Sequence, residues 1–509
     1  MSDTLRTKRT ILNFITSFFP WLILAILGFV KIKYFIQSFG SEMNGLVQLV
    51  GQIYAYLTLM ELGFGSAIIF KLYKPFAEGD KKKISELFVG SKRIYKKIGI
   101  FIFVGGMCSS IIAPFVINKG HISTFYVSTI FMLYAIDYLS LYLLSLPYQS
   151  VLIADQQKYK INVIMNIRHL IVKGLEIYLI IIKMDILLIL LIGILANVIS
   201  SIFIILQVKK YYPWLDKKEK PDLSSFDMTK DVIYHKISKL VFSNTDGIVL
   251  SIATNLRTVS IYGAYNYIIV YLRQIISMIF SAPLDSFGNV FSDNNTSIEK
   301  KRTLFYEFHA VGVYIGIIFV SILYISFTPF VISWIDESYK ISTFAILLFS
   351  INLWFQILLY PLTIVRNANG LYKQSKGYTL LQAILNLILS LILVWKFGIP
   401  GVLLATTLSL IFIAYICEIR LVSNLILKIP FLYHLKYDIF AGCGLILLVT
   451  MVKIFSNIFG LYTSLDLFHW FGDTFIVFII VFIVSTLIFY SFVKPFRLFL
   501  ARLRKMMKK

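Results

Sequence analysis

The chain has 509 residues, 58% of them hydrophobic and 15% charged, with a mean hydropathy of +0.80. No water-soluble domain could solvate such a surface, so composition excludes an ordinary globular enzyme and points to a polytopic membrane protein. The net charge of +23 raises nucleic acid as a partner, but the placement of that charge argues against it.

The first apolar run, 11–30, follows Arg6, Lys8 and Arg9. It is too long for a typical signal peptide and lacks a small-residue cleavage pattern, so it reads as the first helix, with Pro20 as a source of a kink. Further spans are expected at 46–70, 98–117, 124–147, 161–182, 186–208, 235–254, 260–283, 304–328, 341–364, 378–395, 401–420, 438–459 and 473–493. Most lie near the ~20 residues that a helix needs to cross a bilayer. The expected fold class is therefore an all-α polytopic membrane protein of about 14 transmembrane helices.

Alternate connections hold nearly all the cations. Lys71, Lys74, Lys81, Lys82, Lys83, Lys92, Arg93, Lys96 and Lys97 fall between the second and third spans, and Lys209, Lys210, Lys217, Lys218, Lys220 and Lys230 between the sixth and seventh. The opposite loops carry single cations such as Lys119, Lys183, Arg257, Lys340 and Lys396. By the positive-inside rule the basic side is cytoplasmic, and an even number of spans puts both termini there. The excess of lysine over arginine, with abundant Ile, Phe and Tyr, fits an AT-rich bacterial genome, so the expected location is a bacterial plasma membrane. Cys108, Cys417 and Cys443 all sit in apolar spans and are expected as free core thiols, with no disulfide or metal framework.

A pattern is laid out twice. After Tyr159 come Lys160, Asn162 and Asn166, an apolar hairpin turning near Asp185, then Gly193 and an exit at Tyr211-Tyr212-Pro213. After Tyr378 come Gln382, Asn386, a second hairpin turning near Lys396, then Gly401 and an exit at Ile429-Pro430. The unit is roughly 210 residues long, as in duplicated transporters. Six spans in 1–213, a cytoplasmic linker at 214–234 and six spans in 235–430 give parallel repeats; two additional helices in 431–493 and a basic amphipathic tail at 494–509 stand outside them. The tail is expected to lie on the anionic cytoplasmic leaflet, with partner docking as the alternative.

A charged residue at mid-membrane costs about 2.5–3.5 kcal/mol on insertion scales, so such residues should face the bundle interior. In the fifth span Asn162, Asn166, His169, Lys173 and Glu176 are spaced to form one stripe, with Arg168 well off it. The stripe reads either as the lining of a wet cavity or as a seam in which Lys173 and Glu176 neutralise one another. The seventh span places His235, Lys239 and Asp246 on one face, and the eighth aligns Tyr262, Asn266 and Arg273. Arg273 needs an anionic partner: Asp246, Asp137 or a substrate phosphate, whose oxygens suit its planar fork. Asp137 sits amid Tyr134, Tyr138 and Tyr142, a row read as packing or as sugar stacking. Asp137, Asp246, Glu176, Glu307 and His309 are the groups placed to carry a coupling ion or proton. Gln48 and Gln52 could face the same interior, and the glycines of Glu61-Leu62-Gly63-Phe64-Gly65 suggest a bend.

No phosphate-binding loop, zinc-hydrolase motif, paired-cysteine motif or nucleotide-binding glycine turn occurs, and no connection is long enough for a soluble catalytic domain. No cofactor, metal or catalytic residue is expected. Two sequence stretches carry a family likeness. The first is Phe39-Gly40-Ser41-Glu42-Met43-Asn44-Gly45-Leu46 with Tyr54-Ala55-Tyr56-Leu57, Glu61-Leu62-Gly63-Phe64-Gly65 and Leu72-Tyr73-Lys74-Pro75; the second is Asn244-Thr245-Asp246 with Ile261-Tyr262-Gly263-Ala264-Tyr265-Asn266. Together they resemble the Wzx-type lipid-linked oligosaccharide flippases of the MOP (multidrug/oligosaccharidyl-lipid/polysaccharide) exporter superfamily, which also contains the MATE transporters.

The resemblance implies a non-enzymatic flippase. Its substrate would be an undecaprenyl-pyrophosphate-linked oligosaccharide, moved by alternating access from the cytoplasmic to the outer leaflet for surface polysaccharide biosynthesis. Membrane lipid, a polysaccharide polymerase and chain-length machinery would be its partners, without nucleic acid. The substrate-binding residues expected are Arg273, Asn266, Tyr262, Asp246, Lys239, Lys173, His169, Asn166 and Gln52. The competing readings are a cation-coupled small-molecule exporter of the MATE type and a membrane polysaccharide polymerase or glycosyltransferase.

Overall fold

The computed structural model describes the backbone of residues 3–61, 63–117, 120–215, 219–222, 230–281, 290–291, 293, 296–464 and 466–507. Side chains are described for the same residues except 3–18, 60, 230–236, 239, 243, 281, 506 and 507. Among the described residues all regular structure is helical: α1 (Asp3–Leu57), α2 (Phe64–Glu78), α3 (Lys81–Val116), α4 (Thr124–Ala154), α5 (Lys158–Ile181), α6 (Ile186–Tyr211), α7 (Lys230–Ala253), α8 (Leu256–Ser281), α9 (Ile298–Trp334), α10 (Thr343–Ala368), α11 (Tyr372–Phe397), α12 (Ile399–Leu427), α13 (Phe431–Ile458), α14 (Leu467–Phe492) and α15 (Lys494–Met507). Short polar side chains start several of them. Asp80, Ser123, Asp185, Ser297, Ser342 and Asp466 each accept a backbone N–H of the first turn that would otherwise lack a partner.

Ten helices are long and apolar enough to cross a membrane among the described residues, the first of them running through the break at Gly40. The expected span 46–70 is not one helix. The last turns of α1 give way to a 3-10 turn at Thr58–Glu61, and Gly63 (φ 75) then starts α2 in the left-handed region. The non-helical geometry within α1 falls at Gly40 (φ 83, ψ 166), away from Pro20. α5 misses the apolar criterion because it carries Lys158, Lys160, Arg168, Lys173 and Glu176.

The chain forms two compact units, Met1–Gly263 and Ala264–Lys509. In the first, α1 packs on α5 and α7, α3 on α4, α4 on α6, and α5 on α6. Lipid supplies no hydrophobic drive between helices, so such packing depends on close approach and on internal hydrogen bonds. Tyr54 illustrates both: its hydroxyl donates to the Phe131 carbonyl at 2.6 Å, and its ring stacks on Tyr138 at 5.1 Å. That hydroxyl also sits where a Cβ on Gly106 would fall. Tyr138 of the tyrosine row therefore packs. Tyr142 is buried and donates to Glu61 at 2.6 Å. Part of the basic connection is anchored as well, with Lys83 Nζ 2.9 Å from Asp222 Oδ2.

In the second unit α9 packs on α10, α13, α14 and α15, and α12 on α10 and α11. Tyr265 lies between Phe327 and Phe349, with centroids at 4.8 and 6.1 Å. Both hairpins of the repeated pattern are present. The α5–α6 turn uses Lys183 (φ 56) before Asp185, and the α11–α12 turn uses Gly398 (φ 59). α13 and α14 present Phe440, Ile446, Phe475 and Leu487 outward, as helices facing lipid do. All three cysteines are free, but Cys108 and Cys443 are exposed and not in the core, because their spans turn those faces outward.

The tail is also held by the protein. α15 does not lie only along a lipid surface; it packs on α9 and α14. Phe496 is buried against Tyr314 and Phe489, at 4.8 and 5.4 Å. Arg502 forks onto Glu307, Nε to Oε2 at 2.9 Å and Nη2 to Oε1 at 3.0 Å.

Candidate functional site

A polar cavity of about 270 Å³ lies in the first unit among α1, α4, α5 and α6. It sits at the low end of the roughly 300–1,000 Å³ range of ligand pockets, room for a phosphate-sized group or one sugar. The fifth-span stripe builds its wall. His169, Lys173 and Glu176 of α5 line it with Lys31 of α1, Tyr134 and Asp137 of α4, Arg168 of α5 and Gly193 of α6.

Both carboxylates are satisfied inside the protein. Lys31 Nζ donates to Glu176 Oε2 at 2.8 Å. Arg168 Nη1 donates to Asn197 Oδ1 at 2.9 Å, and Asn197 Nδ2 donates to Asp137 Oδ1 at 2.8 Å. Arg168 also contacts His169. The partner of Glu176 is thus Lys31, in place of the Lys173–Glu176 seam that was one reading of the stripe. Arg168 reaches the cavity although its Cα is off the stripe, because a long side chain can turn its head to a polar site.

What remains is an excess of donors. Three basic side chains (Lys31, Arg168 and Lys173) line the cavity with two carboxylates. Lys173 has no hydrogen bond or ion pair among the described residues, and Arg168 Nε is buried without a partner there. An ammonium has three donors and no acceptor capacity, so such a site is complementary to an anion such as a phosphate oxygen.

The other expected site residues lie elsewhere. Asn166 is half-buried on α5 beyond the cavity lining. Gln52 packs against Gly247 of α7, as Gln48 does against Gly263. Asp246 is buried and accepts from Tyr262 Oη at 2.6 Å. Asn266 is half-buried on α8. Arg273 Nη1 donates to Gln356 Oε1 at 3.2 Å. Glu307, expected as an ion carrier, is held by the Arg502 fork. The side chains of His235 and Lys239 lie outside the described residues.

Sequence reasoning missed Asn197, which links Arg168 to Asp137, and the buried pair Arg366–Glu418 at 2.9 Å. It also missed His434 and Asp438, which meet His309 in the second unit; their spacing of one helical turn was the available signal.

No family model matches the chain, and no curated protein does. Solved structures do. The lipid II flippase MurJ in an inward closed conformation superposes with a TM-score of 0.67 at 14% identity, covering 95% of this chain and 99% of that one. An inward-facing multidrug resistance MATE family transporter of the MOP superfamily gives 0.58 at 14% identity, over 82% and 95%. A MATE transporter from Vibrio cholerae gives 0.52 at 12% identity, over 84% and 100%. The chain therefore has the fold of these transporters and is a multi-pass membrane protein.

Proposed function

We propose that this chain is a MOP-superfamily flippase that carries an undecaprenyl-pyrophosphate-linked oligosaccharide from the cytoplasmic to the outer leaflet of a bacterial plasma membrane by alternating access, breaking no covalent bond. The observation that carries the reading is the cationic excess of the first-unit cavity, with Lys173 left without a partner among the described residues. A sugar-phosphate head cannot cross hydrocarbon unaided, whereas its lipid tail need never leave it. A membrane-embedded cavity with spare donors serves the head. The near end-to-end likeness to a lipid II flippase supports the same reading. Arg273, with Asn266, Tyr262 and Asp246, is retained from the family resemblance as a further substrate contact, and Arg273→Ala is expected to abolish export without loss of insertion.

The cation-coupled exporter of the MATE type is the second reading, favoured by Asp137 and Glu176 in the same cavity and by the MATE-like fold. Deleting the gene and assigning lipid-linked sugars to a leaflet separates the two. Accumulation on the cytoplasmic leaflet with loss of surface polymer is expected of the flippase. Unchanged lipid-linked pools and polymer, with altered drug sensitivity, would reject it in favour of the exporter.

A further inference from the structure

We propose that His309, His434 and Asp438 form a binding site for one divalent transition metal of the zinc class inside the second unit. His309 belongs to α9; His434 and Asp438 sit one turn apart on α13, so one face of that helix presents both. All three are buried, at 0%, 0% and 4% exposure. Their ligand atoms lie within 4.8 Å of one another.

The spacing fits a metal. His434 Nε2 is 3.3 Å from His309 Nε2 and 3.5 Å from Asp438 Oδ2. Tetrahedral zinc with bonds of about 2.0–2.1 Å places neighbouring ligand atoms about 3.3–3.4 Å apart. The remaining edge, His309 Nε2 to Asp438 Oδ1, is a 2.6 Å hydrogen bond, and its carboxylate need only turn to offer Oδ2.

Charge gives the second argument. Burying a carboxylate without a counter-charge costs several kcal/mol. Among the described residues the ion-pair partners of Asp438 are only these two imidazoles, with no lysine or arginine. Each neutral imidazole nitrogen offers either a proton or a lone pair, so the cluster closes either with a proton, as in the His309–Asp438 hydrogen bond, or with one cation held by all three groups.

The surroundings also suit a bound metal. Tyr415 donates to Asp438 Oδ2 and orients it. Phe305 stacks on His309 and meets His434 edge-on, at 5.6 and 5.2 Å; neither Nδ1 has a partner among the described residues, so ring packing and not an outer hydrogen bond sets their orientation. A mostly apolar cavity of about 950 Å³ reaches the cluster at Tyr415 and Asp438. Three protein ligands leave a fourth position for water. The bound metal would tie α13, which lies outside the repeated six-helix pattern, to α9.

The test uses the full chain without a polyhistidine tag, purified in detergent, stripped with a chelator and titrated with Co²⁺ and then Zn²⁺. One equivalent per chain is expected, with the visible absorption of tetrahedral Co²⁺, displaced by Zn²⁺. His434→Gln and Asp438→Asn should each weaken binding by about 10- to 100-fold, and Zn²⁺ should raise the unfolding midpoint of the wild type but not of the variants. A wild-type chain that takes up no metal, or variants that bind it unchanged, would overturn the proposal. If the variants do not fold, X-ray absorption of the zinc-loaded wild type decides: a shell with two imidazoles supports the site, and one without imidazole overturns it.

Discussion

Charged side chains inside the two units meet different fates. In the second unit Arg366 is buried against Glu418 at 2.9 Å, Tyr378 adds its hydroxyl to the same carboxylate, and Arg502 forks onto Glu307. In the first, the charges gather around a cavity, and Lys173 is left over. Paired charges with saturated partners hold helices in register; a surplus donor facing a void is set up for a ligand. The difference teaches that a charge in a membrane span marks a site only once its partner is known, since both kinds look alike along the sequence.

The largest expected effect breaks the structural side of this contrast. Arg366→Ala leaves Glu418 buried and uncompensated, at a cost of about 3–5 kcal/mol, whereas replacing both by Met restores most of it. Denaturant unfolding in detergent reads this; a double variant as damaged as the single one would contradict it.

Next comes the functional side. Lys173→Ala removes a charge-assisted contact of about 1.5–3 kcal/mol, roughly ten- to hundred-fold in affinity for the anionic head. The unfolding midpoint should stay level or rise, because a cation without a partner is lost. Equal loss of stability and of binding would place Lys173 with the structural group.

Arg502→Ala is smaller, about 1–2 kcal/mol, since the arginine is half-exposed although Glu307 is buried. It should release α15 to limited proteolysis while export continues. Undiminished protection would mean that Phe496 alone holds the tail.

The smallest effect lies outside the membrane spans. Asp466 caps α14, and its hydrogen bond with His469 holds its carboxyl below the usual range, helped by the Phe468 and His469 amides. Because the folded form favours the charged carboxylate, the capping contribution is fully present above the ordinary carboxylate range and is lost as the pH falls below that range through the lowered folded-state value. Hydrogen exchange at Phe468 and His469 should quicken at acid pH in the wild type and be insensitive to pH in Asp466→Asn, after correction for intrinsic exchange.

The fold was largely legible because apolar length and the alternation of lysine-rich and lysine-poor connections are properties of sequence alone. The break at Gly40 falls in the polar connection between the first two expected spans, and the glycines of 61–65 signalled the bend at Gly63; what was not legible is that helix runs on through that connection on both sides of Gly40. Of the site, the α5 stripe was readable from its helical spacing. Its partners were not: Lys31 lies 145 residues from Glu176, and Asn197 carries no charge to draw notice. Arg366 and Glu418 are 52 residues apart and gave no local signal.

The most direct measurement is leaflet assignment of lipid-linked oligosaccharide in a deletion strain carrying the Lys173→Ala chain at wild-type abundance. The account predicts that the lipid-linked unit stays on the cytoplasmic leaflet and that surface polymer falls at least about tenfold. Normal export by that strain would contradict the assignment of the first-unit cavity as the site that takes up the anionic head.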